Sequence, residues 1–509
     1  MNLTRILLIA SLPVAAIIAV PPALIGPEVE EQMQIALAEA TDNPVASVRL
    51  AEYDRGWFGA TGRIVVQARE DYIDAVLAER AAAAAATQDP QAVAAFADVR
   101  SSLLQPVELD LDVAHGTLLF QNGLALGAAS AVATLQDSAF KEKLPDLEMN
   151  EQVSASMRIG FDQSVAFDVD VPAFRFPIEE EGEAGEVQFL GFELAGLLDT
   201  VSGEVDYEGT MPSFAVTVGD ASIVSVDETR VEGHNTQLTE DVWIGDSAWT
   251  TQQVRVFVAD TGEGDAVDFN LDGFTFTANL EVDDGGELLL IEGTYAVDKM
   301  TAEGYEGSLH LPVSLSNIPV ESMQQYMTLV SDPANAAAMN DDDTPLTAEL
   351  TEQLFAIFEP VLAASPALRI GPAKVDLPEG PVNVDMQVQV AGDEFSQAGL
   401  AAMADPNVLG KVLSANLDAS LPVAQAESIA EWVLADQITS SMEGQPPEYQ
   451  LTPEQASEMA AQQVPGMLSE LVQQGIIKRD GDSYVASIKV KDGNIDMNGL
   501  VLPLAMFAQ

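Results

Sequence analysis

Five stretches alternate apolar and polar residues with period two, and this restricts the fold more than any other feature. They are PVELDLDVAHGTLLF, SASMRIGFDQSVAFDVDV, GEVDYEGTMPSFAVTVGDASIVSV, QQVRVFVAD and AVDFNLDGFTFTANLEV, with Gly, Asp and Asn between them as turns. A period of two places one set of side chains on each face of a strand. Short turns without regular strand–helix alternation point to a large antiparallel sheet. Val45–Tyr53 reads as a further strand, and Gly62–Ala68 as its continuation or partner, with Ile64 and Val66 on one face. The Ala-rich block over 72–101 reads as a helical insertion divided by Pro90.

The last two hundred or so residues contain an internal repeat. Glu321-Ser322-Met323 leading to Tyr326 matches Glu427-Ser428-Ile429 leading to Trp432 at an offset of 106. Leu346-Thr347-Ala348-Glu349 matches Leu451-Thr452-Pro453-Glu454 at an offset of 105, each Thr being a good helix N-cap. Both copies close with strand–turn–strand: AKVDLPEGPVNVDMQV and ASIKVKDGNIDMNGLV. The expected unit is strand, helix, helix, hairpin, with Pro319 and Pro422 near the strand-to-helix switch. Met323, Tyr326, Met327 and Val330 form one apolar stripe, and Ile429, Trp432 and Val433 another; each is expected to lie on a sheet.

The N-terminus has the pattern of a membrane address. Ile6 to Ile25 is apolar and uncharged, long enough to span a bilayer as helix, with Arg5 before it and Glu28, Glu30 and Glu31 after it. The positive-inside rule then leaves a cytoplasmic stub of residues 1–5 and exports the rest. No convincing small-x-small cleavage site precedes Pro21 and Pro22, so an uncleaved anchor is expected over a signal peptide. The expected architecture is α+β and β-rich: a large antiparallel curved sheet with amphipathic helices packed on it, preceded by one N-terminal transmembrane helix. Its regions are the anchor over 6–25, a β-rich part over 26–303, and two similar units over 304–412 and 413–509.

Charge and composition exclude several functions. The 81 Asp+Glu against 21 Lys+Arg give a net charge of -60, which opposes nucleic acid and anionic lipid surfaces. Hydrophobic residues at 47% exclude a disordered acidic tail. With no Cys there is no disulfide, thiol nucleophile or cysteine zinc site. His115, His234 and His310 have no metal spacing. Gly245-Asp246-Ser247 invites a hydrolase reading, but Gly-Asp between two strand-like runs reads better as a turn. Asp268-x-Asn270-x-Asp272-Gly273 opens like a calcium loop, yet its twelfth position is Asn279 and its flanks alternate like strands. On the strand reading, Asp268, Asn270 and Asp272 face solvent. No nucleophile elbow, phosphate loop or dinucleotide fingerprint has the required context. No catalytic, cofactor-binding or metal-binding residue is expected.

Several short elements recur in an order that resembles a known family. Tyr53-Asp54-Arg55-Gly56-Trp57-Phe58 is similar to the tyrosine-x-arginine-glycine-aromatic-phenylalanine element of the YdgA-like bacterial envelope proteins, domain of unknown function 945. Ala114-His115-Gly116 resembles their His-Gly element, with Thr117 in place of the usual proline, and Trp243-Ile244-Gly245 their aromatic-x-Gly step. Ser314–Pro319 resembles their leucine-asparagine strand, and Gly475 onward to Asn498-Gly499 their closing hairpin. The resemblance implies an inner-membrane-anchored periplasmic protein and supplies no reaction. Residue chemistry gives these motifs a structural role: Trp57 and Phe58 plug a core edge, and Arg55 pairs with Asp54 or a neighbouring acid. The functional expectation is a non-enzymatic binding or scaffold protein of the envelope, with a protein or lipid partner and no nucleic acid. Alternatives are a lipid or hydrophobic-ligand carrier with a sheet groove, and an uncharacterised hydrolase.

Overall fold

The computed structural model describes residues 46–506 except 56–58, 78–92, 94–95, 98–99, 102, 116–128, 136–147, 150–151, 161, 181–182, 220, 240, 259–266, 303–304, 331–334, 336–338, 340–345, 400–404 and 442–450. Within these the protein is β-rich: a large antiparallel open sheet with a few helices. The chain divides into two compact units, one running to Asp268 and including Met323–Phe355, the other Phe269–Ser322 with Ala356–Gln509. No helix among the described residues is long and apolar enough to cross a membrane, and the expected anchor over 6–25 lies outside them.

The first unit carries β1 (Ala46–Arg55), β2 (Gly59–Ala68), helix α1 (Glu70–Val76), β3 (Val107–His115), β4 (Ala129–Leu135) and β5 (Glu148–Met149). It continues with β6 (Ser154–Ile159), β7 (Ser164–Val171), β8 (Phe174–Glu180), β9 (Glu183–Phe189), β10 (Phe192–Asp199), β11 (Glu204–Val218), β12 (Ala221–Gln237) and β13 (Trp243–Val258). The ladder runs β1-β2-β3-β4-β6-β7-β10-β11-β12-β13. The second half of β11 pairs instead with β9, which pairs with β8, which pairs with β5.

This branching follows from a crease. β7 and β8 are one strand interrupted at Pro172, β9 and β10 one strand interrupted at Gly191, where φ is 107°. On β11 and β12 the pairing passes from Met211↔Thr229 to Ser213↔Asp227, skipping Pro212 and Glu228, whose φ is 44°. Proline has no amide to donate, and positive φ bends a strand out of the ladder, so four successive strands break at one line. Beside it Phe174, Phe189 and Phe214 sit opposite one another in register, with the Phe174 and Phe189 ring centroids 5.0 Å apart. Val165, Val169 and Val171 from one side of the crease and Val187, Phe189 and Val216 from the other are buried in a single core. Ile73 and Leu77 of α1 and its exit join them. Each such side chain contributes roughly 1.5–3 kcal/mol by leaving water.

The second unit begins in β14 (Val267–Val282) and continues through β15 (Leu288–Ala302) and β16 (Tyr305–Pro319); the chain then forms α2 (Val320–Val330) and α3 (Ala348–Ala363), of which Met323–Phe355 groups with the first unit. Then come β17 (Ala367–Leu377), β18 (Gly380–Val390), α4 (Gly392–Ala398), α5 (Pro406–Val412), β19 (Leu413–Pro422), α6 (Val423–Ser441) and α7 (Pro453–Gln473). β20 (Lys478–Asp480), β21 (Ser483–Lys491), β22 (Asn494–Met497), β23 (Leu500–Pro503) and a 3-10 turn (Leu504–Met506) close the chain. The strands pair β14-β15-β16-β17-β18-β19-β21-β22-β23, with β20 on β21.

The order strand, helix, helix, strand, strand occurs twice: β16-α2-α3-β17-β18 and β19-α6-α7-β21-β22. The first helices open at Val320 and Val423, directly after Pro319 and Pro422, an offset of 103 rather than the 106 matched on Glu321 and Glu427. The second helices open after Thr347 and Thr452, and both contain a proline, Pro360 and Pro465. Thr347 Oγ1 accepts from the Leu350 amide at 3.2 Å, and Thr452 and Gln455 form a reciprocal capping box.

Three sequence expectations need correction. Ile429 and Trp432 of α6 are 48% and 72% exposed, and Tyr326 and Met327 of α2 are exposed too, so these apolar residues are not the covered faces. α6 buries Gln425 and Ala426, and α7 buries Ala456, Ala460, Val464 and Leu468, every fourth residue. Small residues on one ridge let α6 and α7 approach each other closely, which bulkier side chains would prevent. Gly245-Asp246-Ser247 is no turn but lies inside β13. Of the acidic group on β14, Asp268 is exposed, but Asn270 and Asp272 are half-buried.

Candidate ligand-binding face

Partners in an antiparallel ladder point to the same face. One row in the first unit runs Met157, Phe167, Gly196, Tyr207, Gly233, Ser247. The adjacent row is Leu194, Gly209, Val231, Trp249, and the next holds Met211, Thr229 and Thr251. Over residues 192–198, 205–211, 229–235 and 243–251 this face carries Phe192, Leu194, Leu198, Val205, Tyr207, Met211, Val231, Trp243 and Trp249, and no Asp, Glu, Lys or Arg; at the next pair, beyond the crease, Ser213 Oγ donates to Asp227 at 2.7 Å. The acids sit opposite: Glu193, Asp206, Glu208, Glu232 and Asp246 all face outward and are exposed. In a chain of 81 acids that segregation keeps this stretch of the face uncharged.

Two rings lie flat on this face because the residue beneath has no side chain. A Cβ on Gly196 would stand 2.3 Å from Phe167 Cζ, and one on Gly233 would stand 2.6 Å from the Tyr207 ring. Aromatics covering strand glycines in this way pin the register and smooth the surface. Lying across Gly233, Tyr207 brings its hydroxyl to 2.9 Å from Ser247 Oγ. Asn235 Nδ2 donates to the same Ser247 Oγ at 3.4 Å. Two residues along β13, Trp249 Nε1 donates to Thr251 Oγ1 at 3.1 Å, and Thr251 and Thr229 share a hydrogen bond of 3.2 Å. Thr229 and Thr251 are buried, Tyr207 and Ser247 half-buried, and Trp249 is 51% exposed. The face is therefore apolar towards β7 and β10, and bears a neutral polar cluster towards β13.

The outer face holds the titrating groups. His234 Nδ1 lies 2.6 Å from Asp206 Oδ1. The hydrogen bond to Asp206 raises the histidine above its ordinary value, with the charges of Asp206, Glu204 and Asp246 adding to it. This pair is exposed. Among the described residues no cluster of His, Asp and Glu has the arrangement of a metal site.

The second unit has its own amphipathic sheet. Val313, Ile370, Met386, Leu417, Ile488, Met497 and Leu500 follow one another across seven strands, and none is fully buried. Arg369, Lys374, Gln387, Asp418 and Lys489 occupy the opposite face.

The residues singled out in the sequence fall in separate places. Tyr53 of β1 pairs with Gly62 and packs on the core. Arg55 stands opposite Ala60, at the end of the same pairing. Gly56, Trp57 and Phe58 lie outside the described residues, as does Gly116. His115 ends β3 opposite Ala129. Trp243 and Gly245 lie on the uncharged face of β13; Gly245 has φ 135°, and a Cβ there would meet the His234 carbonyl oxygen at 2.1 Å. Asn498 and Gly499, φ 53° and 96°, are in the second unit. Asn498 Oδ1 accepts from the Ser487 amide at 3.0 Å, and its Nδ2 donates to the carbonyls of Gly475 and Ile476. Among the described residues these motifs lie at corners and register positions in separate parts of the two units.

The family model described as a bacterial protein of unknown function, DUF945, matches residues 3–505. The chain belongs to this family. No curated protein matches it. Tyr207, Trp249, Thr229 and Thr251 of this DUF945 chain were not singled out by sequence reasoning, and Ser247 was considered only as part of a turn. A signal for them exists in EVDYEGTM, where every second residue is acidic or polar and the others carry no charge.

Proposed function

We propose that this DUF945 protein is a non-enzymatic, inner-membrane-anchored binding protein of the bacterial periplasm that holds apolar ligands, acyl chains above all, along its sheet. The observation that carries the reading is the half-buried, uncharged stretch of sheet face over residues 192–198, 205–211, 229–235 and 243–251, set against an outer face that takes Glu193, Asp206, Glu208, Glu232 and Asp246. A sheet face that had only to be stable could be sealed by a helix layer, whereas half-buried Leu194, Leu198, Val205 and Val231 leave apolar surface for a guest. The apolar run from Ile6 to Ile25 supports the anchor, with Arg5 setting its direction.

Native mass spectrometry of the full chain extracted from membranes tests the binding. Bound species with acyl-chain masses are expected; a chain that carries only a protein partner, or nothing, overturns the reading. Protease added to spheroplasts tests the placement: digestion of the bulk is expected, and protection of everything after Glu28 refutes it.

A further inference from the structure

Two matched helices expose apolar residues that a packed stripe would hide. On α6, Trp432 and Val433 stand three and four residues after Ile429, so the three share one side of the helix, and all three are exposed. Asp436 continues that side one turn further and is exposed too. α6 is held by other contacts: the Val423 amide donates to the Asp482 carbonyl, Gln425 and Ala426 are buried, and α7 packs along it through Ala456, Ala460, Val464 and Leu468. On α2, Tyr326 and Met327 match Trp432 and Val433 in the repeat and are exposed as well. An aromatic–aliphatic pair left open in both copies is a kept feature of the unit, not an accident of packing in one of them.

Charge says what fits there. α6 and α7 carry Glu427, Glu431, Asp436, Glu454, Glu458 and Glu470, and no Lys, Arg or His. Solvated helices ordinarily set a cation one turn from such acids, and neither helix does so. A stripe of Ile, Trp and Val with carboxylates as its only charges is complementary to a helix that bears Lys or Arg beside an apolar face. One such partner covers the apolar side chains and supplies the missing cations in the same contact. The carboxylates act against two other occupants: a second copy of α6 would bring like charges together, and an anionic bilayer would repel them.

Independently of the apolar-ligand reading above, we propose that the exposed side of α6 docks a cationic amphipathic helix of a partner protein. Trp432 is the central contact, Ile429 and Val433 extend the apolar footing, and Asp436 pairs with a Lys or Arg of the partner.

Titrating a labelled synthetic Leu/Lys helix with the full chain, followed by fluorescence anisotropy against a detergent blank, tests this. A scrambled Leu/Lys peptide keeps the charge without the apolar face, and a Leu/Glu peptide keeps the face with the opposite charge. The Leu/Lys helix is expected to bind at least about tenfold more tightly than either control. Trp432→Ser leaves the net charge unchanged and should weaken binding at least about tenfold, as loss of a central aromatic contact does. Trp432→Phe should keep most of the affinity and guards against a folding artefact. Asp436→Asn should weaken binding about two- to fivefold at low salt and less at high salt. Equal binding of the scrambled peptide, or unchanged affinity in Trp432→Ser, would reveal general attraction to an acidic surface and overturn the proposal. A dimer abolished by Trp432→Ser would overturn it in favour of a second copy. Quenching of Trp432 by brominated phosphatidylcholine in the bilayer that holds the chain, read as the difference between parent and Trp432→Phe, would overturn it in favour of the membrane.

Discussion

The side chain of Asn498 donates to the Ile476 carbonyl at 2.6 Å and so ties the last hairpin to the exit of α7. The same amide accepts from Ser487 in β21, and the Asn498 carbonyl takes Lys478 Nζ at 2.8 Å. Asn tolerates the left-handed backbone found there, φ 53°, better than most residues. One residue thus sets a turn and satisfies three backbone groups.

Removing that side chain leaves the Ser487 amide and two carbonyls without their partner. Asn498→Gly preserves the backbone freedom and isolates the loss, expected at about 2–4 kcal/mol from unsatisfied groups. Asn498→Ala should cost about 1 kcal/mol more through left-handed strain. Urea unfolding of the pair checks both; equal midpoints for parent and Asn498→Gly would contradict the role.

Gly233→Ala places a Cβ into the Tyr207 ring. The ring must lift, breaking the bond to Ser247, at an expected cost of about 1–3 kcal/mol by overpacking. In Gly233→Ala/Tyr207→Ala the clash is gone, so the double variant should be less destabilised than the sum of the singles. Additive losses in thermal melts would mean that the ring does not rest on Gly233.

Trp432 is 72% exposed on α6, so Trp432→Ser should change stability by no more than about 0.5 kcal/mol. A large drop in melting temperature would restore the covered stripe read from the sequence.

His234 should titrate above its ordinary value of 6.5, because the Asp206 hydrogen bond favours the charged ring. The folded value is the raised one. The pair's contribution to stability is therefore full below the unfolded value and lost as pH rises through the folded value. Proton NMR titration of the three histidines follows it directly, and Asp206→Asn should return His234 towards 6.5. No change in that variant would show the pair to be idle in solution.

Strands and their faces were legible because period two is local: the alternation of EVDYEGTM is the same information as the two faces of β11. The N-cap threonines of α3 and α7 were legible for the same reason. Which strands pair was not. Pro172, Gly191, Pro212 and Glu228 lie far apart in sequence and mean a crease only when register aligns them. The helix stripes misled because hydrophobicity was taken as a measure of burial. α7 is buried through Ala456 and Ala460 as much as through Val464 and Leu468, and the value of the alanines is the close approach they permit. The ligand face was hidden among 81 acids, since absence of charge at alternate positions shows as a surface only once strands are side by side.

Most ladders join strands that follow each other in the chain: β11 to β12 to β13, β14 to β15 to β16, β17 to β18 to β19. Such contacts need little loop closure, so they form fast for a sheet of this extent. Each strand finds its partner in the segment made just before it, and the protein can assemble in the order of its synthesis, without waiting for the C-terminus.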